Sequence, residues 1–197
     1  PERIVDRRAC LWLLAGIAAG GRAPAAWAQA FAEGPEAAAW FERASALAGF
    51  TTGPGADPPG AVVFFDPGCP HCLRLWADAR RRGGPLRIHW VPVVLLAPAS
   101  ARQGAALLRA GDPVAAMDAH ARSRAEGGEG IVAESAPDAD ETRALRENTA
   151  MLRAMEVGSV PAILHRDRAG RVGLTVGAMP ASELGRLVEA GRDGPGR

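Results

Sequence analysis

The chain reads as an α/β domain, a central mixed sheet with a helical subdomain inserted into it. Three observations predict this class. The apolar run Ala61 to Phe65 is followed by a helical pattern and then by a second strand pattern from Leu86, a strand-helix-strand unit that makes a parallel, right-handed pair. Residues Ala99 to Met155 are helical in pattern. After them come an X-Pro step, an apolar strand, a turn, a return strand and a closing helix.

The elements follow in order. Residues 1–30 carry Arg3, Arg7 and Arg8, an apolar run from Cys10 through Ala19, and the small-x-small triplet Ala28-Gln29-Ala30, the pattern of a secretory signal peptide. The apolar run is too short to span a bilayer. The mature chain is expected to begin near Phe31, without Cys10 and in an oxidising compartment. Arg7-Arg8 has a loose twin-arginine look, but basic pairs are ordinary in such leaders, so the general secretory (Sec) route is favoured. Losing Arg3, Arg7, Arg8, Arg22, Glu2 and Asp6 leaves 19 basic against 20 acidic residues. That balance gives no electrostatic footprint for nucleic acid or an anionic membrane.

Residues 31–60 are expected to hold a short helix and a linker. Ala37, Trp40, Phe41, Ala44 and Leu47 fall at helical spacing, and Thr51 to Gly60 is rich in Gly and Pro. The domain proper spans 61–192. Ala61 to Phe65 has the unbroken apolar character of a buried central strand. Pro70 to Arg82 reads as a helix stopped by Gly83-Gly84-Pro85, and Leu86 to Leu96 as a strand whose Pro92 implies a sheet edge or a strand end. The helical insertion, 99–155, contains one helix through Ala105, Leu107 and Leu108 that stops at Gly111. A second opens at Asp112-Pro113, and a third runs from Asp138 to Met155. Gly158 to Leu164 then enters an apolar strand through Val160-Pro161, a bond that suggests a specially held, cis backbone. Asp167-Arg168-Ala169-Gly170 is a turn, Val172 to Val176 its return strand, and Ser182 to Ala190 the closing helix. β-α-β, helical insertion, β-β-α is the thioredoxin-like plan.

The chemistry centres on Asp66-Pro67-Gly68-Cys69-Pro70-His71-Cys72. A thiol is nucleophilic only as its thiolate, and a helix N-terminus, with unpaired N–H groups and a positive dipole end, stabilises that anion. Cys69 sits where the helix begins, and Cys72 lies one turn inside it. Pro70 falls near the first helical position, where its missing N–H costs little. His71, if cationic or donating a hydrogen bond, would favour the Cys69 thiolate and so the reduced form. A zinc site would need two further ligands where the only other cysteine is Cys10, and covalent haem attachment would need His where Leu73 stands. The pair reads as a redox centre needing no cofactor and no metal. His89, His120 and His165 are scattered singly and read as surface or half-buried residues.

Phe65-Asp66-Pro67-Gly68-Cys69-Pro70-His71-Cys72, Leu86-Arg87-Ile88-His89-Trp90-Val91-Pro92-Val93 and Val157-Gly158-Ser159-Val160-Pro161-Ala162 together resemble the catalytic domain of bacterial periplasmic disulfide isomerases of the DsbC/DsbG type, over roughly Ala61 to Val188. The resemblance implies a periplasmic thiol:disulfide oxidoreductase that forms, reduces or isomerises disulfides in unfolded or mis-oxidised exported proteins. A membrane redox partner would reset the pair. Cys69 would be the attacking cysteine, Cys72 the buried resolving one, and Pro161 the cis-proline facing them. Val160 would offer backbone groups to a substrate strand. Only about thirty mature residues precede Ala61, so the family's N-terminal dimerisation domain is not expected, and a monomer is favoured. Cys-Pro-His-Cys with Val-Pro resembles the DsbA oxidase branch and pulls toward oxidation. The buried acid that many thioredoxins carry six residues before the first cysteine is Val63 here. Asp66 is nearer but begins the loop, which leaves water to carry the Cys72 proton. The competing function is a copper-binding or delivery module through Cys69, His71 and Cys72, since soft thiolates with imidazole suit that metal.

Overall fold

A computed structural model of the chain describes residues 28–32 and 35–189. The elements are β1 (Ala28–Ala32), α1 (Pro35–Ser45), β2 (Phe50–Thr52), β3 (Ala61–Phe65), α2 (Pro70–Arg82), β4 (Ile88–Pro92), α3 (Pro98–Arg109), α4 (Pro113–Ala125), α5 (Ala139–Ala154), β5 (Ala162–Arg166), β6 (Val172–Val176) and α6 (Ala181–Glu189). Most of the segment read as a signal lies outside the described residues. Its expected cleavage triplet, Ala28-Gln29-Ala30, falls within β1. No helix of the described residues is long and apolar enough to cross a membrane.

The strands form one sheet in the order β1-β6-β5-β3-β4-β2. β3 and β4 are parallel, and every other pair is antiparallel. All five residues of β3 are buried, as its unbroken apolar sequence requires of a central strand. Its alternation divides the core in two. Val63 and Phe65 pack with α2 through Cys72, Leu75 and Trp76 and with Leu184 of α6. Val62 and Phe64 pack on the other face, against Phe41 and Ala44 of α1 and Leu152 of α5. Helix α1 therefore shares the domain's core.

Two segments differ from the sequence reading. Part of the linker, Phe50–Thr52, is the strand β2, antiparallel to β4 with Phe50 opposite Trp90. Trp90 Nε1 donates to Thr52 Oγ1 at 2.9 Å, so the strand character comes from its neighbour. The strand expected over Leu86 to Leu96 covers only Ile88–Pro92. Pro92 marks a strand end and not an edge, because β2 lies beyond β4. Past it the chain turns away: the Val94 N–H donates to Thr149 Oγ1 of α5, and those of Leu95 and Leu96 donate to Asp66.

The insertion starts as its local signals require. Pro98 and Pro113 occupy the first turns of α3 and α4. Asp112 caps α4, and Asp138 with Glu141 forms a capping box at α5. Asn148 of α5 donates to Pro92 O and Ala48 O, both at 2.9 Å, pinning the end of β4 and the α1–β2 turn to the insertion.

Candidate active site

Helix α2 begins at the redox pair. Cys69 is the N-cap residue, with φ −81° and ψ 115°, and its sulfur accepts from the Cys72 N–H at 3.4 Å. A sulfur here replaces the oxygen that usually caps a helix, and it sits at the positive end of the helix dipole. Pro70 holds the first turn without removing a needed donor. The loop is closed by the Cys69 N–H donating to Asp66 O at 2.9 Å and the Gly68 N–H donating to Asp66 Oδ1 at 2.8 Å.

Opposite the sulfur stands the loop before β5. The Val160–Pro161 bond is cis, and Cys69 Sγ lies 3.6 Å from Val160 O, to which the thiol can donate. Two segments 91 residues apart thus meet at one atom. Both cysteines are buried.

The two sulfurs are differently disposed. Hydrogen bonding from Cys72 pulls the Cys69 pKa from 9.0 to about 6; burial and the nearby Asp66 charge oppose this, while the backbone N–H groups of Cys72 and His71 add to it. Burial pushes the Cys72 thiol far up, reinforced by its hydrogen bond to Cys69. At neutral pH one proton is shared unequally: Cys69 is largely thiolate and Cys72 remains the donor.

His71 acts on this sulfur through its backbone N–H. Its ring is turned along the exposed face of α2, where Arg74 Nη2 donates to Nδ1 at 2.7 Å. Of the two ways His71 is expected to favour the thiolate, a hydrogen bond is made from its backbone, while its ring is engaged by Arg74. Among the described residues no group of three or more His, Cys, Asp or Glu side chains is placed to hold a metal ion.

Asp66 is fully buried, and both carboxylate oxygens are occupied. Oδ1 accepts from Gly68 N and, at 2.6 Å, from Ser100 Oγ of α3; Oδ2 accepts from Leu95 N at 2.8 Å and Leu96 N at 2.9 Å. His120 holds the next residue: Nε2 lies 2.8 Å from Pro67 O, and Nδ1 accepts from the Ile131 N–H at 2.9 Å. That pair of bonds fixes a neutral ring with the proton on Nε2. Burial lowers its pKa, as it does for His89 and His165. All three histidines read from sequence as surface or half-buried are buried. His120 and Ser100 carry no local signal of their place, because their partners lie 53 and 34 residues away.

No protein-family model matches the chain. The thiol:disulfide interchange protein DsbG of Pseudomonas aeruginosa is 28% identical over 140 residues, 68% of this chain and 52% of that protein. The chain thus spans about half the length of this relative. Among solved structures, the catalytic domain of Proteus mirabilis ScsC matches with a TM-score of 0.59 at 19% identity, covering 78% of this chain and 96% of that one. A periplasmic thioredoxin-like protein from Salmonella enterica serovar Typhimurium matches at 0.51 and 17%, covering 76% and 94%. The chain is therefore similar in sequence to DsbG, and its architecture is a thioredoxin-like fold with a helical insertion.

Proposed function

We propose that the protein is a thiol:disulfide oxidoreductase acting on exported polypeptides in the periplasm through the Cys69–Cys72 pair. One observation carries this reading: an acidified sulfur caps a helix and meets the carbonyl that precedes a cis-proline, with a protonated sulfur one turn behind it. The likeness to DsbG, named as a thiol:disulfide interchange protein, supports it.

In the oxidising direction a substrate thiolate attacks the Cys69 sulfur of the Cys69–Cys72 disulfide. The S–S bond breaks, Cys72 departs with the electron pair, and its high proton affinity makes it take up a proton at once. A second substrate thiolate then attacks the substrate sulfur of the mixed disulfide. Cys69 leaves as the stabilised thiolate, and two electrons have passed from substrate to protein. Isomerisation or reduction begins instead with the Cys69 thiolate on a substrate disulfide, which Cys72 resolves. A membrane redox partner takes or supplies the two electrons that reset the pair.

The acidity of Cys69 favours the oxidising direction, because whatever stabilises the thiolate stabilises the reduced pair. Leu96 and Val132 support an unfolded-polypeptide substrate. They are the large hydrophobic side chains exposed among the described residues, 55% and 78%. Leu96 adjoins the active-site loop through its N–H to Asp66, and Val132 follows Ile131, whose N–H bonds the ring of His120. The Val160 backbone is available for strand-like pairing with that substrate. We take the working unit to be a monomer, to be tested by light scattering.

The test is turnover of a reduced, unfolded model protein. Cys69→Ser should abolish it, and Cys72→Ser should accumulate mixed disulfides visible on non-reducing gels. The glutathione-referenced potential should fall between about −270 mV, where reductants such as thioredoxin lie, and about −120 mV, that of the strong oxidant DsbA. Failure of Cys69→Ser to stop exchange would remove the proposal.

A further inference from the structure

This inference rests on the exchange reaction proposed above and adds a residue to it. We propose that Asp66 is a positioning residue of the redox site: its uncompensated buried charge works against negative charge on Cys69, while its hydrogen bonds tie the active-site loop to the helical insertion.

The argument begins with what Asp66 lacks. A buried carboxylate is costly unless paired, and Asp167, the other buried aspartate among the described residues, has the Arg171 guanidinium at 2.7 Å. Asp66 is held by neutral donors alone, three backbone N–H groups and the Ser100 hydroxyl. Such dipoles stabilise a carboxylate without bringing a countercharge to it. With two donors on each oxygen it has no free lone pair aimed at Cys72, so it is not the missing proton acceptor. The Cys69 N–H donates to its carbonyl, which makes carboxylate and sulfur the two ends of one tight turn. Its charge opposes ionisation at both sulfurs.

The other ionisable groups around the loop do not compensate it. His120 approaches from α4 as a neutral ring with both nitrogens engaged. His71 and Arg74 pair with each other on the exposed side of α2. Asp66 therefore adds its charge to burial in opposing the hydrogen bonds from Cys72 and His71 that acidify Cys69. The same carboxylate grips Ser100 of α3 and the two residues that follow Val94, tying the insertion's first helix to the active-site loop.

Sign separates this role from a merely structural one. Loosening the loop takes Cys69 away from its donors and sends its acidity back toward an ordinary thiol, whereas removing a repelling charge makes it more acidic. The experiment measures iodoacetamide alkylation of Cys69 against pH, and the equilibrium with glutathione, in the wild type, Asp66→Asn and Asp66→Ser. The serine variant is included because the asparagine NH₂ must face N–H donors, which costs that variant stability. The expected result is an alkylation midpoint below that of the wild type measured alongside. With it, the glutathione equilibrium should move about threefold or more toward the reduced pair. A midpoint unmoved, or raised, in the variants that fold overturns the proposal. Alkylation needs no turnover, so a wild-type protein without exchange activity would tell against the proposed function, separately from the role of Asp66.

Discussion

At the residue scale, the site depends on where protons rest. Cys69 has a pKa of about 6, so it is about nine-tenths ionised at pH 7. Its alkylation rate should rise through pH 6 and level off by pH 7, whereas an ordinary thiol would still be gaining reactivity at pH 8; a stopped-time labelling series measures this. The buried histidines set a different pH limit. His89, His120 and His165 have folded pKa values below 6.5, so the unfolded chain binds more protons than the folded one under mild acid. Stability should therefore fall as pH drops below about 6.5, in the oxidised and the reduced protein alike, as urea unfolding would record. His120 also carries two hydrogen bonds that nothing else supplies. Replacing it with Phe strands the Pro67 carbonyl and the Ile131 N–H and should cost about 2 kcal/mol or more. His120→Gln, which restores a donor, should recover part of that.

At the element scale, the helices declare their own beginnings and the short strands do not. Asp112-Pro113 and Asp138 are start signals written within four residues, and α4 and α5 begin where those signals stand. Asp138→Ala should lower stability by about 1 kcal/mol without touching exchange, a separation that melts and turnover assays would establish together. Strand β2 has three residues among glycines and threonines and becomes a strand only because β4 offers it hydrogen bonds. No local pattern could announce that. The redox motif was legible in the same way as the caps, because a helix start acting on a sulfur is a matter of neighbouring residues. The sequence also brought Val160 and Pro161 to the cysteines, through the family resemblance. The ring of His71 pairs with Arg74, one turn along the exposed face of α2, a choice of side-chain geometry that the motif does not encode. Asp66, Ser100 and His120 were opaque for the opposite reason, that their contacts span the fold.

At the scale of the whole molecule, sulfur state and stability are linked. A thiol whose pKa is depressed on folding contributes stability that is complete above its unfolded value and lost as pH falls through its folded one. The reduced protein should gain on the oxidised one progressively between about pH 6 and pH 9. Paired thermal melts with and without reductant would show the gap widening with pH, and a constant gap would contradict the acidity assigned to Cys69. The fold also supplies a means of watching this. Trp76 follows Cys72 by one helical turn, packs in the same core cluster as both cysteines, and crosses the Trp90 ring with centroids 4.9 Å apart. Sulfur in its thiol, thiolate and disulfide forms differs in how readily it drains an excited indole. The protein should therefore brighten or dim in ultraviolet light as electrons arrive, and it reports its own oxidation without a dye.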